Sequence, residues 1–186
     1  MTQSKGTPIE KFADVNTFML KAFDQDCLDY NYDQMINELA STSWKSSAGL
    51  GGRQWTYQTC TEFGWYQSSD QENHPFSSLF NVEFFEKQCQ DIFGPKFNIE
   101  LLEKGIRRSN IMYGAKDIQV SNVVFVHGSF DPWHALGITE DNGPNRAILI
   151  PGTAHCANMY PASRDDPLQL VQARQQIGEL ITEWLK

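Results

Sequence analysis

The sequence predicts an α/β fold in which a mostly helical first part leads into the tail of a parallel sheet. Three observations predict it. Apolar residues recur at helical spacing, with capping residues, up to about Tyr113. Two short apolar runs that end in glycine follow, at 121–128 and 146–152. An amphipathic helix then closes the chain, giving the order strand, short helix, strand, helix. At 186 residues the chain can bury roughly two-thirds of its surface. With 40% hydrophobic and 20% charged residues it has a folding composition, not a disordered one.

The first helix opens at Thr7-Pro8-Ile9-Glu10, where Thr7 and Glu10 make a capping box and Pro8 takes the first helical position. It is expected to run to about Phe23 and to bury one stripe formed by Phe12, Val15, Phe18, Met19, Ala22 and Phe23. A second helix is expected around Tyr32 to Leu39. The Ser- and Gly-rich stretch from Ser41 to Arg53 reads as a loop of the kind that lines sites. Gln54 to Tyr66 is dense in aromatics and should start as a helix and leave it near Gly64. Further helices are expected at Val82–Phe93, stopped by Gly94-Pro95, and at Ile99–Arg108, with Asn98 as cap. After residues 113–121 the two apolar runs read as buried parallel strands. The last helix starts at Asp166-Pro167, as cap and first turn, and turns Leu170, Val171, Ile177, Leu180, Ile181 and Trp184 toward a core.

Several functions are disfavoured by composition. With 15 Lys and Arg against 23 Asp and Glu, the formal charge of −8 opposes binding to nucleic acid. No apolar run reaches 18 residues, so no membrane span is expected, and the opening MTQSKGTPIEKF has no apolar core of a signal peptide. Cys27, Cys60, Cys89 and Cys156 are widely spaced, with no Cys-x-x-Cys pair. Their even number suits disulfides, with three connectivities open, although four reduced thiols fit as well. No cofactor and no metal are expected, because His127, His134 and His155 include no pair at helical ligand spacing.

Two segments share one placement: Gly128-Ser129-Phe130-Asp131-Pro132-Trp133 and Gly152-Thr153-Ala154-His155 each follow an apolar strand and begin with glycine. Each delivers an ionisable side chain to the carboxyl edge of the sheet, where α/β proteins gather ligands and catalytic groups. An Asp after one late strand and a His after the next is also how the triad of an α/β-hydrolase ends. In that chemistry the imidazole takes the proton of a hydroxyl nucleophile, while the carboxylate orients it and stabilises its charged form. Either residue alone is more simply a turn former or an ordinary loop histidine; their order and placement favour the pair. The 186 residues contain no Gly-x-Ser-x-Gly elbow, and Ser129 is too close to Asp131 to serve as the attacked hydroxyl.

With Arg53-Gln54-Trp55-Thr56-Tyr57-Gln58-Thr59-Cys60-Thr61-Glu62, these segments make the chain resemble the C-terminal portion of an S28-family serine peptidase. That family includes Pro-Xaa carboxypeptidases, dipeptidyl-peptidase II and thymus-specific serine proteases, and Gly152 to Pro161 is most like the thymus-specific branch. The resemblance implies an α/β-hydrolase with an inserted helical cap, residues 1–115 being cap and 116–186 the C-terminal β/α segment. It also implies exopeptidase action next to proline or small residues, with Asp131 as triad acid and His155 as base. The serine would lie in sequence upstream, leaving the 186 residues alone inactive. Trp55, Tyr57, Gln58 and Glu62 become candidates for a substrate-facing cap surface, against the simpler reading of an aromatic core corner. Thr56 stands where the dipeptidyl-peptidase branch has an acid that holds an α-amine, which argues against dipeptide release. Cys60 and Cys89 are expected to form a disulfide worth roughly 3–4 kcal/mol, Cys27 to pair upstream and Cys156 to be a small buried thiol. The full-length protein would be secreted or lysosomal and would act on peptides, with dimerisation left open. The alternative is a truncated or pseudo-peptidase that binds peptides or a partner.

Overall fold

The computed structural model describes residues 5–72 and 78–186. It divides into two compact units, residues 1–106 and 107–186.

The first unit is helical. Helix α1 (Pro8–Ala22) begins with the expected capping box: the Thr7 hydroxyl accepts from the Glu10 amide, and the Glu10 carboxylate accepts from the Thr7 amide at 2.7 Å. Its apolar stripe is not buried, however, with Phe18 at 70% and Phe23 at 66% exposure. Periodicity reports which face of a helix is apolar, not whether anything covers it.

Helix α2 (Tyr32–Ala40) packs on α4 (Val82–Phe93). The Tyr32 hydroxyl donates to Asp91 Oδ2 at 2.8 Å, and Lys87 pairs with the same carboxylate while lying over the Tyr32 ring. These two hydrogen bonds hold the Asp91 carboxyl below its ordinary range. Burial, followed by the Asp91 bond, raises the Tyr32 phenol. Within the expected loop, Ser47–Leu50 forms a 3-10 turn, and α3 (Gly52–Gln58) starts directly after it.

At Thr59–Phe63 the helix widens into a π-helical turn, closed by the Gly64 amide donating to Thr59 O at 2.9 Å. Gly64, at φ 63°, ends it as the sequence suggests. The widened turn sits against α5 (Ile99–Tyr113), where a Cβ at Gly105 would overlap the Thr61 carbonyl. Helix α5 outruns its expected end at Arg108. Asn98 caps it, its Oδ1 accepting from the Leu101 amide at 3.1 Å. Cys60 and Cys89, both buried, form a disulfide that ties the π turn to α4, while Cys27 is a free, exposed thiol.

The second unit holds β1 (Val124–Gly128) and β2 (Arg146–Ile150), parallel and in register from Val124 opposite Arg146 to Gly128 opposite Ile150. They are one-sided and not fully buried strands: Ile148 and Ile150 point into the core, and Leu149 between them is 41% exposed. The covered face packs on α6 (Leu168–Trp184) through Leu170, Ala173 and Ile177. Val171 and Ile181, expected inside, are about half exposed, because the face that meets the strands is narrower than the apolar arc. Pro167, not Asp166, takes the cap position of α6. The Asp166 carboxylate instead accepts from the Ser163 amide and pairs with Arg174.

Candidate active site

Two loops, one after each strand, are joined by backbone hydrogen bonds. The Ser129 amide donates to Ile150 O at 3.0 Å, and the Phe130 amide donates to Thr153 O at 2.9 Å. The Gly152 amide donates to Ser129 Oγ at 2.8 Å. Gly128 permits this closeness, since a Cβ there would overlap the carbonyl oxygens of Thr153 and Ala154. Ser129 thus fastens one loop to the other.

The fastened loops place His155 Nδ1 2.7 Å from Asp131 Oδ2. Asp131 is only 4% exposed, and its other oxygen accepts from the Trp133 amide at 3.0 Å, capping the 3-10 turn Pro132–Leu136. Asp131 therefore starts a turn and also meets the imidazole; the two readings of it are compatible. Burial works to raise its carboxyl. The His155 and Trp133 bonds, aided by the nearby His155 and His127 imidazoles, outweigh burial and hold it below the ordinary 3.8. An ionised carboxylate can only accept, so Nδ1 of His155 carries the proton and Nε2 is left as the basic nitrogen. The His155 side chain is 64% exposed, which leaves it open to a reacting group.

The other two histidines of the unit, His127 and His134, are held differently. The His134 Nδ1–H donates to the Asp131 carbonyl at 2.6 Å. His127 lies under Gly137, where a Cβ would overlap its ring, and its Nε2 is buried without a hydrogen-bond partner among the described residues. No group of three or more His, Cys, Asp or Glu is arranged to hold a metal ion among the described residues.

Beyond His155 the chain turns through Cys156, at φ 57° and half-buried, into the 3-10 turn Ala157–Met159. Arg174 of α6 secures this stretch, donating to the carbonyls of Asn158 (3.3 Å), Ala157 (3.0 Å) and Tyr160 (2.8 Å). Sequence reading missed Arg174. A basic residue on an amphipathic helix reads as solvent-facing, and only the fold shows the carbonyls gathered beside it.

The helical unit has a separate cavity of about 720 Å³. Tyr57, Gln58 and Glu62 line it. Trp55 is not among its lining residues and packs instead against Phe63, with ring centroids 5.4 Å apart. Trp44 and Arg53, from the 41–53 stretch read as site-lining, also line it, as do Phe93 and Phe97, which were not singled out by sequence. Phe93 and Phe97 flank the Gly94-Pro95 stop, which was legible as a turn but not as a wall.

An acid and an imidazole brought together behind successive parallel strands are the arrangement found in α/β-hydrolase-type proteins. Comparison with known proteins agrees. The model of the serine carboxypeptidase S28 family matches residues 1–177, and the chain belongs to that family, whose fold is of the α/β-hydrolase type. Thymus-specific serine proteases of Mus musculus and Homo sapiens are 34% and 32% identical to it, each over 185 residues and 99% of this chain. Those stretches cover 36% and 35% of the two relatives. A lysosomal Pro-X carboxypeptidase of Bos taurus is 27% identical over 159 residues, 84% of this chain and 30% of the relative. The chain spans about a third of the length of these curated relatives.

Proposed function

We propose that Asp131 and His155 are the acid and base of a serine-peptidase triad whose hydroxyl lies outside these 186 residues. The observation that carries this reading is the 2.7 Å contact between His155 Nδ1 and a buried Asp131 carboxylate held in its ionised form. In the reaction, Nε2 takes the proton of the attacking hydroxyl, and Asp131 keeps the ring oriented and offsets the imidazolium charge. The same nitrogen then returns the proton to the leaving amine of the peptide. The substrate is a peptide cut near one end, next to proline or a small residue. The helical unit serves as cap, with Tyr57, Gln58 and Glu62 toward the substrate. The full-length protein works in a secreted or lysosomal setting, which the buried Cys60–Cys89 disulfide supports.

The test is hydrolysis of prolyl peptides by the full-length protein between pH 4 and 8, against the same protein with His155→Ala. Equal rates remove His155 from the mechanism. A second reading is a truncated or pseudo-peptidase that binds peptides or a partner through the aromatic lining of the helical unit. Labelling of the full-length protein by a fluorophosphonate rejects it.

A further inference from the structure

The cavity of the helical unit contains a guanidinium and a carboxylate that are not paired with each other. Arg53 and Glu62 both line it, and neither forms an ion pair among the described residues. The two differ in how firmly they are held. One guanidinium N–H of Arg53 donates to Leu39 O at 2.5 Å, and the group lies over the Phe93 ring, 4.7 Å from its centroid. That leaves the remaining N–H donors of a half-buried fork without an acceptor among the described residues. Glu62 makes no hydrogen bond to hold its carboxylate among the described residues. A fixed charge binds a ligand at lower ordering cost than a mobile one, so recognition is set by the guanidinium. The wall beside it is aromatic, Tyr57 packing edge-on against Phe93 and Phe97 at 5.4 and 5.8 Å.

We propose that this cavity binds the free C-terminal carboxylate of a short peptide through Arg53, with an apolar last side chain against Tyr57, Phe93 and Phe97. A planar carboxylate matches the guanidinium fork with two parallel hydrogen bonds. A dianion such as phosphate is opposed more strongly than a carboxylate by Glu62, which lines the same cavity. The residue after Trp55 offers nothing to an amine: the Thr56 hydroxyl is tied to Gly52 O at 2.9 Å, and Thr56 is not part of the lining. The inference rests on the peptidase reading only in taking a peptide as the occupant, and makes the cavity selective for carboxyl ends over amino ends.

The experiment is calorimetric titration of the 186-residue chain with N-acetyl-Ala-Pro-Phe, its C-terminal amide, and Ala-Pro-Phe-amide with a free amine. The acid should bind at least about tenfold more tightly than either amide, the size of one charge-assisted pair of hydrogen bonds. Arg53→Gln should abolish that preference and Arg53→Lys restore part of it. Because Arg53 also ties α3 to Leu39, its variants can unfold; Glu62→Gln then carries the test and should tighten binding of the acid severalfold. Equal binding of acid and amide, tighter binding of the free amine, no saturable binding of the acid, or no gain in Glu62→Gln each overturn the proposal. The titration reads binding without turnover. Its failure leaves the Asp131–His155 reading standing, and an active His155→Ala protein leaves the cavity reading standing.

Discussion

Cutting the Cys60–Cys89 bond perturbs two walls of the cavity at once, because it joins the π turn that follows α3 to α4. The bridged residues are 29 positions apart. For a loop of that length the chain-entropy relation gives about 12 cal/mol/K, or about 3.6 kcal/mol at 25 °C. With a urea slope of about 2–3 kcal/mol/M, the midpoint should fall by about 1.2–1.8 M. The assay is urea unfolding followed by tryptophan fluorescence, on oxidised protein, on protein reduced with a phosphine, and on the Cys60→Ala/Cys89→Ala double variant. Reduction removes the cross-link without deleting atoms from the core, so it isolates the loop effect from the packing loss of the double variant. The packing of Tyr57 on Phe93 and Phe97 should loosen, and peptide affinity should fall with stability. A midpoint that moves by less than about 0.2 M on reduction would refute the idea that the bond limits the unfolded chain.

In the full-length protein, Asp131→Asn should lower kcat by about four orders of magnitude with little change in KM, since the amide holds the wrong imidazole tautomer; steady-state kinetics decide it. Asp131 also gives a pH signature. Its folded carboxyl titrates below 3.8, so its stabilisation is complete above about pH 4 and is lost as pH falls through the folded value. Acid unfolding of the wild type should therefore steepen below about pH 4 relative to Asp131→Asn, which lacks that dependence. Gly128→Ala should cost about 2 kcal/mol or more, because the added carbon meets backbone carbonyls that cannot rotate away; thermal denaturation reads it. Arg174→Ala should cost about 3 kcal/mol by removing the cation beside Asp166 and the donor to three carbonyls, and Arg174→Lys should recover only part of it.

Much of the fold was legible because the chain marks its own element ends. Thr7 with Glu10, Asn98 and Gly94 fix helix limits through local hydrogen bonds and backbone geometry that few other residues supply. The candidate pair was legible for a similar reason, as Gly128 and Gly152 flag the points where strands give way to loops. What escaped the sequence depends on groups far apart in the chain. The exposure of α1, the one-sided burial of the strands and the release of Asp166 from capping to Arg174 all follow from which surfaces meet. The π turn at Thr59–Phe63 is a single extra residue in a helical ladder, which leaves no trace in hydrophobic period. Arg53 was quoted within a motif, but only the fold sets it over Phe93 and beside a cavity.

The missing side chain at Gly128 has an effect on mechanics. Because main chain touches main chain where the two turns cross, the acid and the imidazole ride on one stiff frame. Their separation is insulated from the rotamer changes that repack a core, and a disturbance that reaches one of them shifts both together.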